Sequence, residues 1–240
     1  MSATLGGLEF VSGGGDATYT MASLSRSVAT RRDTALRPTA HGAFPAPGLL
    51  TGQLITISGL VLASSDAAYE AAKAALQNLL ADGTDAELEV TESALTWTAM
   101  VGRFDEPDII DEVYGEVARF RAQFWGADPF RYGDPHTYGP GASFSVSHDG
   151  NFDAVPTVTV QGPQSAPYSV ASGGHSVTVT QALGSGEEHT IDMGMGWVYL
   201  DGVLQSGVTS AVDVFTIPPG AGVTVTGPST MTVDVVDTYS

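Results

Sequence analysis

The chain of 240 residues contains no cysteine, which excludes disulfides, thiolate metal sites and cysteine nucleophiles. Lys73 is its one lysine, and no Lys or Arg follows Arg131. A phosphate-cradling Gly-Lys-Ser/Thr loop is therefore absent. Long apolar runs are absent too. The longest, 54–63, is broken by Thr56, Ser58 and Gly59 and falls well short of the roughly 20 residues that cross a bilayer. No membrane insertion is expected, and the first residues do not read as a secretory signal.

What is abundant is acid, Gly, Pro, Ser, Thr and Val. The net charge is −18. Residues 1–131 hold 17 acids and 9 bases, hence −8, and residues 132–240 hold 10 acids and no base, hence −10. Such a chain is repelled by nucleic-acid phosphates and anionic lipid heads. Two readings follow: a surface kept soluble by charge, or one that DNA passes without sticking. With 29 Gly, 13 Pro and 42% hydrophobic residues, the composition favours many short strands joined by tight turns around a real core.

Residues 8–21 read as a hairpin turning at Gly13-Gly14-Gly15-Asp16. Arg26, Arg31, Arg32 and Arg37 cluster in a Pro-punctuated, loop-like segment that ends near Pro47. The segment is either solvated or pairs with acids on a neighbouring copy. Residues 53–62 form a strand whose Gly59 marks a bulge or close packing. Ser64 and Ser65 are candidate N-caps for a helix over 67–81, with Tyr69, Ala72, Leu76, Leu79 and Leu80 on one face and a stop at Asp82-Gly83. Strands follow at 86–91 and 94–104, the latter placing Leu95, Trp97, Ala99 and Val101 on one side. Over 109–124 the apolar pattern leans to helix, although a period of two also fits. Beyond Tyr132, strands are expected at 157–160, 177–181, 197–200, 212–217, 223–226 and 231–236. Asp201-Gly202 is a two-residue hairpin signal, and this spacing predicts a β-sandwich. The fold class is thus mainly β with one clear helix (α+β).

No catalytic constellation emerges, and no enzyme, cofactor or metal site is expected. Gly194-Met195-Gly196 meets Tyr199 where a dinucleotide loop needs Gly, and Gly13, Gly15 and Thr18 fail likewise. None of His41, His136, His148, His175 and His189 has metal-ligand spacing to another His. Glu187-Glu188-His189-Thr190-Ile191-Asp192 reads as a strand edge, its adjacent carboxylates facing opposite ways. Asp149-Gly150-Asn151-Phe152-Asp153 imitates a calcium loop but has Ala154 where Gly is required and Val160 where the closing Glu belongs. It reads as an interdomain turn. Among Trp97, Trp125 and Trp197, the last, beside Tyr199 on one strand face, is the best sugar-stacking candidate.

The order of features resembles the distal tail (Dit-like) proteins of siphophages. Ser58-Gly59-Leu60-Val61 closes a strand ahead of a helix containing Ala74-Ala75-Leu76-Gln77-Asn78-Leu79-Leu80. A later element runs into Phe124-Trp125-Gly126-Ala127-Asp128-Pro129-Phe130-Arg131-Tyr132. The second half offers Pro156-Thr157-Val158-Thr159-Val160-Gln161-Gly162, His189-Thr190-Ile191-Asp192, Tyr199-Leu200-Asp201-Gly202 and Phe215-Thr216-Ile217-Pro218-Pro219-Gly220. Where such proteins often carry an Arg before the first of these strands, this chain has Thr51-Gly52-Gln53. The resemblance implies an N-terminal split-barrel-like ring domain over 1–150 and a C-terminal galectin-like β-sandwich over 151–240. It implies that 109–124 is strand. It further implies a structural virion protein at the phage tail tip, assembled in the host cytoplasm. There a homo-hexamer ring connects tail tube protein to tail tip or baseplate hub proteins, and DNA passes through its lumen. The alternative is a carbohydrate-binding module that adheres to a host-surface glycan.

Overall fold

The computed structural model describes residues 1–13 and 18–240. Gly14, Gly15 and Asp16 of the expected turn lie outside the described residues. The chain divides into two units, Met1–Arg131 and Tyr132–Ser240.

The first unit contains β1 (Ser2–Leu5), β2 (Leu8–Val11), β3 (Tyr19–Arg31), β4 (Leu49–Leu62), α1 (Asp66–Asn78), β5 (Ala86–Glu92), β6 (Leu95–Arg103), β7 (Asp108–Val113) and β8 (Val117–Gly126). Its strands run in the order β6-β5-β1-β2-β3-β4-β8-β7. β8 also bonds back to β6 through Gly102↔Trp125 and Arg103↔Phe124, closing a split barrel. Alternation along each strand sends one face inward. Leu88, Val90, Trp97, Ala99, Val101, Ile55, Ile57 and Val61 are thereby buried with Phe10, Tyr19 and Phe120. The last three rings lie 5.5–6.4 Å apart, in the tilted and edge arrangements that aromatic quadrupoles favour.

Helix α1 starts where Ser65 Oγ accepts from the Ala68 amide, and an Ala-rich body sustains it. Tyr69, Ala72 and Leu76 face the barrel, and Tyr19 Oη donates to the Ala72 carbonyl at 2.9 Å. The expected helical range to 81 shortens, because Leu80 adopts φ +51°. Leu79 leaves the helix to pack against the β1–β2 turn, 2.7 Å from where a Cβ on Gly6 would stand.

Three further expectations change in this unit. β2 meets β3 in parallel, Phe10↔Tyr19 and Val11↔Thr20, so 8–21 is no hairpin; the hairpin is β1–β2. The segment holding Arg26 and Arg31 is strand, not loop. Residues 109–124 fall in two strands, β7 and β8, joined by a turn at 114–116, rather than in a helix. β8 is hydrogen-bonded on both sides and buries Ala118, Phe120, Ala122 and Phe124, while Arg119, Arg121 and Gln123 alternate away from the core. Period two won because both edges of β8 found partners. Gly59 fulfils its expectation. A Cβ there would lie 1.7 Å from the Thr20 carbonyl oxygen, beside an irregularity in register at Met21/Ser23.

The second unit contains β9 (Arg131–Tyr138, from its second residue), β10 (Ser143–Val146), β11 (Thr157–Gln161), β12 (Tyr168–Ser172), β13 (His175–Val179), β14 (Glu188–Asp192), β15 (Trp197–Leu200), β16 (Val203–Gln205), β17 (Thr209–Val212), β18 (Val223–Thr226) and β19 (Met231–Tyr239). Two sheets, β16-β15-β14-β11-β19-β9 and β10-β18-β12-β13-β17, form the expected galectin-like sandwich. Val158, Val160, Ile191, Val198, Met231 and Val233 of one sheet share a core with Val170, Val177, Val179 and Val225 of the other. Asp201 (φ +46°) and Gly202 (φ +80°) turn β15 into β16, the positive pair that a type I′ hairpin requires. The expected strand 212–217 is mostly irregular, with an isolated bridge Ala154↔Ile217.

The boundary between the units falls at Arg131/Tyr132 rather than at residue 150, because β9 joins β19 and β10 joins β18. Asp149–Asp153 is accordingly not an interdomain turn. The Asn151 and Phe152 amides donate to the Thr238 carbonyl, and the Asp149 amide donates to Asp237 Oδ1 at 2.7 Å.

Candidate assembly surface

The β3–β4 pair continues past the barrel. β2 flanks β3 only at Tyr19 and Thr20, so among the described residues 22–31 have β4 as their one neighbouring strand. β8 leaves β4 at Gln53, so 49–52 likewise face only β3. Ten residues of β3 span roughly 33 Å. The connection 32–48 has internal order: the Arg37 amide donates to the Gly42 carbonyl, the Phe44 amide donates to the Ala35 carbonyl, and Leu36 bridges Ala43. It exposes large apolar groups, Leu36 at 81% and Phe44 at 54%, with Leu49 at 51% just beyond. The Arg37 guanidinium lies 5.7 Å from the Phe44 ring centre.

At the base of this arm, Gln53 occupies an inward register position and is fully buried. Its Nε2 donates to the carbonyls of Asp128 (2.9 Å) and Phe130 (3.0 Å). Its Oε1 accepts from Arg26 Nε at 2.6 Å, and Arg26 Nη2 donates to the Pro129 carbonyl. Asp128 Oδ1 accepts from the Phe130 amide, and the Arg131 guanidinium lies 5.2 Å from the Trp97 ring centre. The Asp-Pro-aromatic segment is thus clamped, carbonyl by carbonyl, to the root of the arm. Burial, aided by the like charge of Arg131, lowers the Arg26 pKa from its ordinary value. Arg26 is therefore an internal fastener and not part of the exposed basic cluster. A polar Gln in register with Ile55, Ile57 and Val61 was the sequence signal for this clamp.

In the sandwich, Trp197 and Tyr199 share the face of the β15 strand that points away from the core. Tyr199 stands between Leu204 and Thr190, and Trp197 opposite Asp192; the row continues through Thr157 to Asp234. Trp197 is 46% exposed. An aromatic plate beside carboxylates and hydroxyls can stack on a sugar ring and accept from its hydroxyls. Trp97 is core at 1% exposure, and Trp125 lies over Gly52, where a Cβ would approach its ring at 2.6 Å.

Several other titratable residues are structural fasteners. Lys73 Nζ and Tyr69 Oη both donate to Asp111 Oδ1, at 2.8 and 2.5 Å. Burial, then the Asp111 bond, pushes Tyr69 up to about 12; the Lys73 and Tyr69 bonds lower Asp111. His136 Nε2 meets Asp237 Oδ1 at 2.9 Å. Buried His148 bonds the Ile217 carbonyl through Nε2 and accepts from the Gly150 amide through Nδ1. His189 is buried, with Nδ1 2.7 Å from Tyr168 Oη and Nε2 3.3 Å from Gln181 Oε1; burial lowers its pKa against the opposing pull of Glu187 and Asp201. His175 pairs with Asp213 at the surface. Among the described residues no group of three His, Cys, Asp or Glu could hold a metal ion.

No protein-family model and no curated protein matches the chain. Solved structures do. The chain superposes on the SPP1 Dit protein, described as a paradigm of the hub adsorption apparatus in phages infecting Gram-positive bacteria. The TM-score is 0.73 over 92% of this chain and 93% of that one, at 13% identity. A chain of the phage P2 baseplate in its activated conformation with Ca matches with a TM-score of 0.51 over 92% and 91%, at 6% identity. The chain therefore has the Dit fold over nearly its whole length.

Proposed function

We propose that this protein is a non-enzymatic structural component of a long-tailed phage virion, a distal tail hub. In this reading Met1–Arg131 makes a homo-hexameric ring, and Tyr132–Ser240 is the outer domain. The ring joins the tail tube protein to the tail tip or baseplate hub proteins, after assembly in the host cytoplasm. The observation that carries the reading is the likeness to the SPP1 hub protein across both units at once. The charge supports it: six copies at −18 each carry −108, and an assembly of that net sign repels DNA phosphates. Negative-stain imaging of the purified protein tests it. A six-fold ring is the expected image, and uniformly single particles of one chain would overturn the ring.

A second reading concerns the outer domain alone. The exposed Trp197 beside Tyr199 and Asp192 favours a host-surface glycan as ligand. Binding of the full chain to purified cell-wall polysaccharide should fall at least about tenfold in Trp197→Ala, since losing an aromatic anchor costs well over 1 kcal/mol. Equal binding by both proteins would remove this reading and leave the hub untouched.

A further inference from the structure

The arm carries a distinct charge of its own. Arg31, Arg32 and Arg37 are exposed. Their only ion pair among the described residues is a loose one, Arg31 to Asp33 at 3.7 Å, with both side chains more than half exposed; such a pair contributes little. Most bases elsewhere in the first unit are engaged within the chain. Lys73 holds Asp111, Arg103 donates to the Gln77 and Asp105 carbonyls, Arg119 pairs with Glu112, and Arg26 belongs to the clamp, while Arg121 only stands opposite Asp108 in register. The tip is therefore an ordered element with apolar groups and free positive charge on a chain that is otherwise acidic.

The barrel presents the matching surface. Glu9 on β2 and Glu89 on β5 both stand opposite Thr4 of β1, and Glu87 lies two positions along β5 on the same face. All are exposed, as are Thr4 and Met100 beside them. No Lys or Arg occurs in β1, β2 or β5, and β6 carries only Arg103 at its far end. The result is three carboxylates on an outward sheet face with no cation in register. Basic tip and acidic face sit on the same chain, and the complementary partner for each is a second copy of that chain.

We infer that the arm of one copy docks on the outward β2-β1-β5-β6 face of the next. Arg31, Arg32 and Arg37 meet Glu9, Glu87 and Glu89, and Leu36 and Phe44 cover Met100. The contact is head-to-tail, so each copy offers both halves, and such contacts generate rings when the rotation closes. The inference rests on the ring reading above and deepens it. An exposed strand edge such as 22–31 invites pairing with another chain, and engagement in a ring resolves that liability.

The test measures particle mass by light scattering on the full chain. Wild type should give a multiple of 24.7 kDa. Arg31→Glu/Arg32→Glu/Arg37→Glu should weaken self-association at least a hundredfold (order of magnitude), because like charges set across an interface cost several kcal/mol. Glu9→Arg/Glu87→Arg/Glu89→Arg should do the same, and the six substitutions combined should restore the wild-type mass. These are surface positions, and an unchanged circular dichroism melt confirms folding. Wild-type mass in the arm variant, or no recovery in the combined variant, overturns this inference while an oligomeric wild type leaves the ring standing. A wild type that stays a single chain overturns both.

Discussion

Both units close β-structure around an apolar core, yet they fasten it differently. The first unit mixes 17 acids with 9 bases and uses its cations at the joints. Arg26 ties the arm root to 128–131, and Lys73 ties α1 to β7. The second has no Lys or Arg and fastens with neutral rings, hydroxyls and amides instead: Tyr168 to His189, Tyr138 Oη to the Ser147 carbonyl, and the Asp149 amide to Asp237. A unit without cations cannot neutralise a buried carboxylate with an ion pair. It keeps nearly all its carboxylates on the surface and supplies buried Asp237 with an amide and a histidine. The surface charge left over has no Lys or Arg to offset it.

The sharpest way to break this contrast is to damage one unit and ask whether the other notices. Gly59→Ala drives a Cβ against the Thr20 carbonyl and should cost about 3 kcal/mol or more. Hydrogen exchange on the full chain should then show β3 and β4 amides opening while β11 and β14 stay protected. Wild-type protection of β3–β4 would mean the close approach is not needed.

Gln53→Ala should cost about 2 kcal/mol by leaving the Asp128 and Phe130 carbonyls and the Arg26 guanidinium short of partners. A urea melt reads the loss, and faster exchange at Phe130 locates it. An unchanged melt would show that water replaces the amide at no cost.

His189 separates the units by pH. Its folded-state pKa is lowered by burial, so the unfolded chain binds the proton more readily. Stability from this group is present above the ordinary His pKa of about 6.5 and is lost as pH falls below it. The melting temperature of the second unit should fall between about pH 7 and pH 5, and His189→Gln should flatten that slope while lowering stability at pH 7. An unaltered slope in the variant would assign the dependence elsewhere. The smallest effect expected is Gly202→Ala, about 1 kcal/mol from forcing a side chain into φ +80° with no neighbouring atom in the way, read as local exchange in β15 and β16.

Several elements were legible because their causes are local. The Ser65 cap, the Ala-rich body of α1, the one-sided burial of Trp97, Ala99 and Val101, and the positive-φ pair Asp201-Gly202 each depend on residues a few positions apart. Residues 109–124 were not, since a helical stripe and a two-residue alternation share Phe120 and Phe124, and only pairing on both edges of β8 decides between them. The clamp joins Gln53 to carbonyls 75 and 77 residues away, a distance no local pattern encodes. The unit boundary was in fact visible: the last cation, Arg131, is the last residue of the first unit. The turn signals near residue 150 outweighed it, although Asp149–Asp153 serves the inside of the sandwich.

Composition and alternation by themselves determined that this is a mainly β, single-helix, acidic chain with an uncharged-or-negative second half, because strand period, turn chemistry and net charge are properties of neighbouring residues. The tertiary structure alone decided which arginine is held in a clamp and which ones stand exposed on the arm. Those outcomes depend on which strand edges find partners, and edge pairing is a contest between segments far apart in the chain.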